Sequence, residues 1–106
     1  MKLLTKQIKQ KLAKNVGNAN KDKPYLKLFN PTGVGTWLIT EYDEETGLMF
    51  GLCDLGYPEL GYVSLEEIES VELPWGLKIE RDMHFEPNMT LNEYYEQARS
   101  SGGIYV

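Results

Sequence analysis

The chain has 106 residues, of which 42% are apolar and 25% charged, a balance that is typical of a folded domain and excludes a disordered one. No apolar run approaches the roughly 20 residues of a membrane-spanning helix. Cys53 is the only cysteine, which excludes an intrachain disulfide and a cysteine-based zinc site. We therefore expect one domain over residues 1–106, in a reducing cytoplasm and without a membrane partner.

The net charge of −5 is divided unevenly along the chain. Residues 1–27 carry eight lysines and a single acidic residue, Asp22. Residues 28–106 carry three basic and fifteen acidic residues. This division predicts either two faces with different partners or a basic element packed across an acidic body.

The first predicted element is a basic helix over residues 1–16. Leu4, Ile8 and Leu12 recur with the spacing of one helical face. Thr5 suits the N-cap position and Gly17 the stop. Four lysines occupy the remaining faces: Lys6, Lys9, Lys11 and Lys14. They indicate a solvated helix surface, which is the simpler interpretation, or a helix that faces nucleic-acid phosphates.

A loop over residues 17–24 leads into a predicted sheet over residues 25–85. Strands are expected at residues 25–29, 35–42, 48–53, 60–63 and 77–85. The turns between the first three strands are too short for a parallel crossover, so the sheet should be antiparallel. Capping boxes at Ser64–Glu67 and Thr90–Glu93 predict a short middle helix and a C-terminal helix over residues 90–100. The expected fold class is therefore α+β, with about five antiparallel strands and three helices.

The predicted fifth strand places an arginine among apolar side chains. With a period of two, Arg81 shares one face with Leu77, Ile79, Met83 and Phe85. A buried guanidinium needs a partner, so we expect Arg81 to form an ion pair or to bind backbone carbonyls inside the fold. A ligand-binding arginine, or one that a β-bulge turns outward, is the alternative.

The opposite face of that strand presents Glu80, Asp82 and His84 at alternate positions. Two carboxylates and an imidazole at this spacing could bind a divalent metal or transfer protons. His84 is the only histidine, and acidic residues are common on solvated sheets, so an ordinary surface is the preferred interpretation. We expect no catalytic residue, no metal and no cofactor.

Acidic residues crowd the turn after the second strand and the surroundings of the middle helix. They are Glu41, Asp43, Glu44 and Glu45 in the first place, and Glu59, Glu66, Glu67, Glu69 and Glu72 in the second. Solubility and the helix dipole explain such charge in ordinary proteins. The alternative is a surface that imitates nucleic-acid phosphates and occupies a basic groove on another protein.

Exposed aromatic residues beside these charges would strengthen a protein-binding interpretation. The candidates are Tyr42, Tyr57, Tyr62 and Trp75. Trp75 lies in a turn between Pro74 and Gly76. We expect it to cap the core, because tryptophan is highly buried on average, and a protruding anchor is the alternative.

Residues 60–70 (LGYVSLEEIES) and 76–87 (GLKIERDMHFEP) carry a family resemblance, and residues 1–6 (MKLLTK) share it. They resemble the bacterial domain of unknown function 2958, although Val63 stands where that family often has an aromatic residue. Residues 17–55 match only in general pattern. The resemblance implies a protein carried by plasmids, phages or conjugative elements. It marks Glu80, Arg81 and Asp82 as family features and implies no activity.

Together these observations predict a non-enzymatic protein-binding module of a mobile genetic element. Counter-defence would fit, with the acidic surface blocking a nucleic-acid-processing complex. The predicted surface consists of Asp43, Glu44, Glu45, Glu66, Glu67, Glu69 and Trp75. Two alternatives stay open: a nucleic-acid accessory domain that uses the lysines of the first helix, and a small enzyme centred on residues 80–84. The acidic body disfavours the former and the missing motifs the latter. The oligomeric state stays open.

Overall fold

One five-stranded antiparallel sheet organises the computed structural model, which describes residues 3–17 and 22–106. The strands are β1 (Leu26–Phe29), β2 (Thr36–Asp43), β3 (Leu48–Asp54), β4 (Pro58–Ser64) and β5 (Glu80–Arg81). The helices are α1 (Lys6–Ala13), α2 (Leu65–Ser70) and α3 (Leu91–Ser101), with a 3₁₀ turn at Pro74–Gly76. The strand order is β4-β3-β2-β1-β5, which confirms the predicted α+β class. The parts of the predicted first helix and loop at residues 1–2 and 18–21 lie outside the described residues.

The sheet buries apolar side chains on both of its faces. On the first face, Trp37 and Ile39 of β2 pack in one cluster with Leu12 of α1 and with Leu65 and Ile68 of α2. On the second face, Leu38 and Leu52 pack with three residues of α3: Leu91, Tyr94 and Ala98. β2 forms the centre of the sheet, and six consecutive residues of it, 37–42, are buried because both of its faces are covered.

Three helix starts are fixed by the capping residues that the sequence predicts. Thr5 Oγ1 accepts a hydrogen bond from Ile8 N at 3.1 Å, and Ser64 Oγ accepts one from Glu67 N at 3.2 Å. At α3 the capping box is reciprocal, since Glu93 Oε1 also accepts from Thr90 N at 3.0 Å. The α1 helix ends at Ala13, three residues before the predicted end, and a turn follows it.

A β-bulge interrupts the pairing of β2 with β3. The register shifts between Ile39 and Glu41, and Gly51 lies opposite. A Cβ at Gly51 would overlap the Leu38 carbonyl oxygen, so only glycine fits there. Past the bulge, Glu41 is 8% exposed, and its Oε1 accepts from Gly17 N at 3.3 Å. Glu41 therefore belongs to the interior, and its predicted place among the surface carboxylates is wrong.

The fifth strand is much shorter than the predicted residues 77–85. Only Glu80 and Arg81 pair with β1, and Asp82 N adds one hydrogen bond to Lys27 O at 2.9 Å. The chain then turns, because Asp82 Oδ1 accepts from His84 N at 2.9 Å. As a result Met83 is 71% exposed, and the predicted apolar face does not continue beyond Arg81. No helix in the described part of the chain is long and apolar enough to cross a membrane.

Candidate partner-binding surface

The turn between β2 and β3 lies directly beside the start of α2. Leu65 N donates to Gly47 O at 2.9 Å, and Leu48 pairs with Ser64. Asp43 Oδ1 accepts from Glu45 N at 2.9 Å, which fixes the turn and leaves the neighbouring carboxylates in solvent. The acidic residues of this turn and those of α2, far apart in sequence, are thus brought to one end of the sheet.

The short helix α2 presents its carboxylates to solvent while its apolar side anchors it. Leu65 and Ile68 are buried in the first-face cluster. Glu66, Glu67 and Glu69 are exposed, and no basic residue lies in the last turn of the helix. The charges of α2 and of the neighbouring turn therefore add to a single negative region, which would attract a cationic surface.

Trp75 protrudes from the turn that follows α2, and the expectation that it caps the core is wrong. Its side chain is 88% exposed. Leu77 N donates to Pro74 O at 3.3 Å, and Leu73 N donates to Leu77 O at 2.9 Å, so the segment is a tight reversal. Trp75 and Gly76 have φ angles of 61° and 72°, which is the pattern of a type I′ turn.

The backbone conformation of Trp75 is costly and no packing explains it. Trp75 is the only residue other than glycine with a positive φ in the described part of the chain. An L-residue in this left-handed region costs about 1–2 kcal/mol, and the first central position of a type I′ turn favours Asn, Asp or Gly. Strain of this kind persists where the side chain serves something other than the fold.

The other candidate aromatic residues divide between the interior and the surface. Tyr42 is 6% exposed and is therefore no longer a candidate for an exposed aromatic residue beside the acidic turn. Its ring lies 5.8 Å from Lys9 Nζ and closes the gap between α1 and β2. Tyr57 and Tyr62 are 66% and 68% exposed, on the side of β4. Neither lies in α2 or in the turn that carries the acidic residues.

The basic helix packs across the sheet and borders the acidic turn. Lys6 and Lys9 line a cleft of about 190 Å³ together with Tyr42 and Glu44. Within residues 3–17 and 22–106, no carboxylate lies within 4.0 Å of any lysine of α1. The helix therefore keeps its positive charge available, and the uneven charge of the sequence becomes two adjoining regions of opposite sign.

Arg81 forms the carbonyl contact that the sequence predicts, without an ion pair. Its Nη1 donates to Leu3 O at 2.7 Å, on the first face of the sheet, and the described residues offer it no carboxylate within 4.0 Å. The guanidinium thus ties the segment before α1 to the sheet edge. The sequence does not identify Leu3 as the acceptor, because every residue has a backbone carbonyl whatever its side chain.

The predicted cluster of Glu80, Asp82 and His84 does not converge on one point. Asp82 Oδ2 lies 3.3 Å from Lys27 Nζ, while its Oδ1 accepts from the His84 backbone. That backbone hydrogen bond, with help from Lys27, lowers the pKa of Asp82. Across residues 3–17 and 22–106, no group of three His, Cys, Asp or Glu side chains is placed to hold a metal ion.

Cys53 is half-buried beside Trp37 on the first face. Burial raises the pKa of its thiol, and the negative charges of Glu59 and Asp54 raise it further. The protonated thiol is a poor nucleophile, so this environment favours a packing role.

The fold and these surfaces define a small α+β domain whose two charged regions adjoin and whose most exposed aromatic side chain lies in a strained turn. The chain belongs to a family described as a protein of unknown function (DUF2958), whose model matches residues 3–105. The resemblance of residues 60–70 and 76–87 is thereby confirmed and extends over nearly the whole chain. No curated protein and no solved structure matches the chain.

Proposed function

We propose that this chain is a non-enzymatic protein-binding module that occupies a basic groove on a protein partner. The binding surface is the acidic face, which we define as the exposed side chains of the β2–β3 turn, of α2 and of the following turn. Its members are Asp43, Glu44, Glu45, Glu66, Glu67, Glu69 and Trp75. The observation that carries the proposal is Trp75, 88% exposed at a positive φ.

An exposed tryptophan supplies binding energy that carboxylates alone do not. Burying most of an indole side chain removes about 200 Å² from water, a gross gain of about 5 kcal/mol at 25 cal/mol per Å². Tryptophan is accordingly enriched among the residues that dominate interfaces. The surrounding carboxylates add steering and specificity for a cationic surface, more than net affinity. Anchor and charge together favour a protein partner over a free cation.

The chemistry of the partner follows from the acidic face. A basic groove is what a protein uses to hold a nucleic-acid backbone, so a nucleic-acid-processing protein or complex is the partner class that this face fits best. Counter-defence on a plasmid, phage or conjugative element is the role we propose, since blocking such a groove would disable a nuclease. That setting comes from the family resemblance and is part of the proposal.

Affinity purification with matched variants tests the proposal. The bait is the purified chain, and the lysate, from cells that carry its gene, is treated with nuclease so that nucleic acid cannot bridge. One variant is Trp75→Ala and the other is Glu44→Lys with Glu45→Lys, with Asp43 retained because its carboxylate fixes the turn. Glu86→Lys with Glu96→Lys is the control, since it changes net charge equally at exposed positions outside the acidic face.

The decisive measurement is the dissociation constant of the purified partner for each variant. We expect Trp75→Ala to weaken binding at least about tenfold, and the Glu44–Glu45 reversal to weaken it more at low salt than at high salt. The control should bind like the wild type. A partner that binds both acidic-face variants as tightly as the wild type would refute the proposal.

A nucleic-acid accessory domain is the second candidate function, and one observation favours it. The lysines of α1, and Lys14 directly after it, have no carboxylate within 4.0 Å among the described residues, so they are free to meet phosphates. Changing Lys6, Lys9, Lys11 and Lys14 to glutamine tests this by gel shift at low salt. Micromolar or tighter binding of wild-type protein to duplex or single-stranded DNA, lost in that variant, would favour this candidate over the protein partner.

A further inference from the structure

Strand β4 is an unprotected edge of the sheet. In the described part of the chain it pairs with β3 alone, over seven continuous register pairs and without a bulge. Its outward backbone N–H and C=O groups are therefore available to another strand. Native proteins block such edges with lysines, bulges, inward charges or very short strands. At the other edge, β5 is two residues long. β4 has Pro58 and Glu59 at its first two positions, and residues 60–64 contain neither a charge nor a proline.

The second face of β4 carries a protruding aromatic side chain next to a receptive groove. Tyr62 is 68% exposed, and its ring meets Phe50 edge to face with centroids 5.0 Å apart. Two residues earlier, Leu60 lines a groove of about 600 Å³ between the start of β4 and α3. Tyr95 and Arg99 form the helix side of that groove. Tyr62 and Leu60 project on the same face, because they are two residues apart in a strand.

We propose that two copies of this chain associate through antiparallel pairing of their β4 strands, with Gly61 on the two-fold axis, to form one continuous ten-stranded sheet. In this register Tyr62 of each copy lies opposite Leu60 of the other. Each exposed tyrosine is thereby brought to the groove of the opposite copy. Such a contact is isologous: the contact between Tyr62 of one copy and the groove of the other occurs twice, once on each side of the axis.

The middle of β4 is suited to lie on a symmetry axis. Gly61 is the central residue of Pro58–Ser64, and a Cβ there would meet nothing within 4 Å. Two glycines opposite each other across the axis bring no side chains into conflict. A foreign extended segment could use the same edge, but it would have to supply its own aromatic side chain. A second copy supplies it by symmetry.

Charge does not oppose this pairing locally, although each chain carries −5. Glu59 is the only charged residue of β4, and it would lie opposite Val63 of the other copy. The two Glu59 positions are then four residues apart along the strands, about 13 Å, which exceeds the screening length of about 8 Å at physiological salt. No like charges face each other directly, which is the arrangement that destabilises strand pairs.

Sedimentation velocity of the full chain tests the proposal. We expect the wild type to shift with concentration towards twice the 12.2 kDa mass of one chain, across a range up to about 200 μM. Gly61→Lys should keep the fold, since open space surrounds the position, but it sets two ammonium groups against each other at the axis. Gly33→Lys is the matched control, because its Cβ also meets nothing within 4 Å and it lies in the turn between β1 and β2, outside β4.

We expect Gly61→Lys to raise the dimer dissociation constant at least about a hundredfold and Gly33→Lys to leave it unchanged. Circular dichroism and urea unfolding of both variants confirm that each copy is folded. A wild type that stays at 12.2 kDa throughout would overturn the proposal. So would a dimer that is indifferent to Gly61→Lys. No member of the acidic face belongs to β4, so either result leaves the proposed partner binding to its own test.

Discussion

Replacing Trp75 by asparagine should stabilise the fold, an outcome opposite to that of most tryptophan substitutions. Trp75 has φ 61° and ψ 26°, a conformation that costs a bulky L-residue about 1–2 kcal/mol and that asparagine tolerates. The side chain is 88% exposed, so folding buries about 30 Å² of it, which is worth about 0.7 kcal/mol. The relief of strain exceeds the lost burial, and the net gain is about 0.5–1 kcal/mol.

Trp75→Ala separates the two contributions. Alanine loses the same burial but stays strained at a positive φ, so it should destabilise the protein by about 0.5–1 kcal/mol. Urea unfolding at neutral pH measures both free energies, and thermal melting should show the asparagine variant a few degrees higher. A loss of more than about 1 kcal/mol in Trp75→Asn would mean that the indole packs on the core, which would refute the strain argument and remove the main support for the acidic face.

Four further variants test the rest of the structure. Arg81→Gln should lower the free energy of unfolding in urea by about 1–2 kcal/mol, because it loses one charged hydrogen bond to Leu3 O at a half-buried site. An unchanged urea midpoint would place the guanidinium in solvent. Asp82 has a lowered pKa in the folded protein, so its stabilisation is present above about pH 4 and is lost as the pH falls further; Asp82→Asn should flatten this acid limb, and an equally steep limb would contradict the assignment. Gly51→Ala should lower the free energy of unfolding by about 3 kcal/mol or more, because its methyl group would overlap the Leu38 carbonyl oxygen. Gly61→Ala, with open space around it, should change that free energy by less than about 0.5 kcal/mol. Similar values for the two variants would show that the bulge adapts.

The elements that the sequence predicts well are those governed by local chemistry. The caps at Thr5, Ser64 and Thr90 depend on side chains within three residues of their targets, so pattern and structure agree. The fifth strand is shorter than predicted because Asp82 turns the chain. Its carboxylate accepts a hydrogen bond from His84 N, and the strand ends at Arg81 although β1 continues through Lys27 and Leu26 beyond the last pair. Alternation of apolar and polar residues alone does not show where such a turn interrupts a strand.

The candidate surface could be predicted only in part from the sequence. Charge density identified the turn and α2 from composition, but the bulge beside Gly51 draws Glu41 inward and Tyr42 is buried against α1. Both changes depend on long-range pairing. The exposure of Trp75 could not be predicted for a different reason. Tryptophan is buried on average, which favours a place in the core, whereas its exposure here follows from a left-handed turn conformation.

Two features remain that the fold does not need. Several polar side chains find partners inside the fold: Arg81 binds a carbonyl, Glu41 an amide, and Asp82 both a lysine and an amide. Trp75 instead stays strained and exposed, and β4 leaves a long regular edge open. Natural sequences break local rules mainly where function requires it. The two features lie on different elements and require different contacts: Trp75 would bind a protein partner, and β4 would pair with another strand. A chain that pairs with its copy through β4 therefore still has Trp75 and the acidic face for a protein partner.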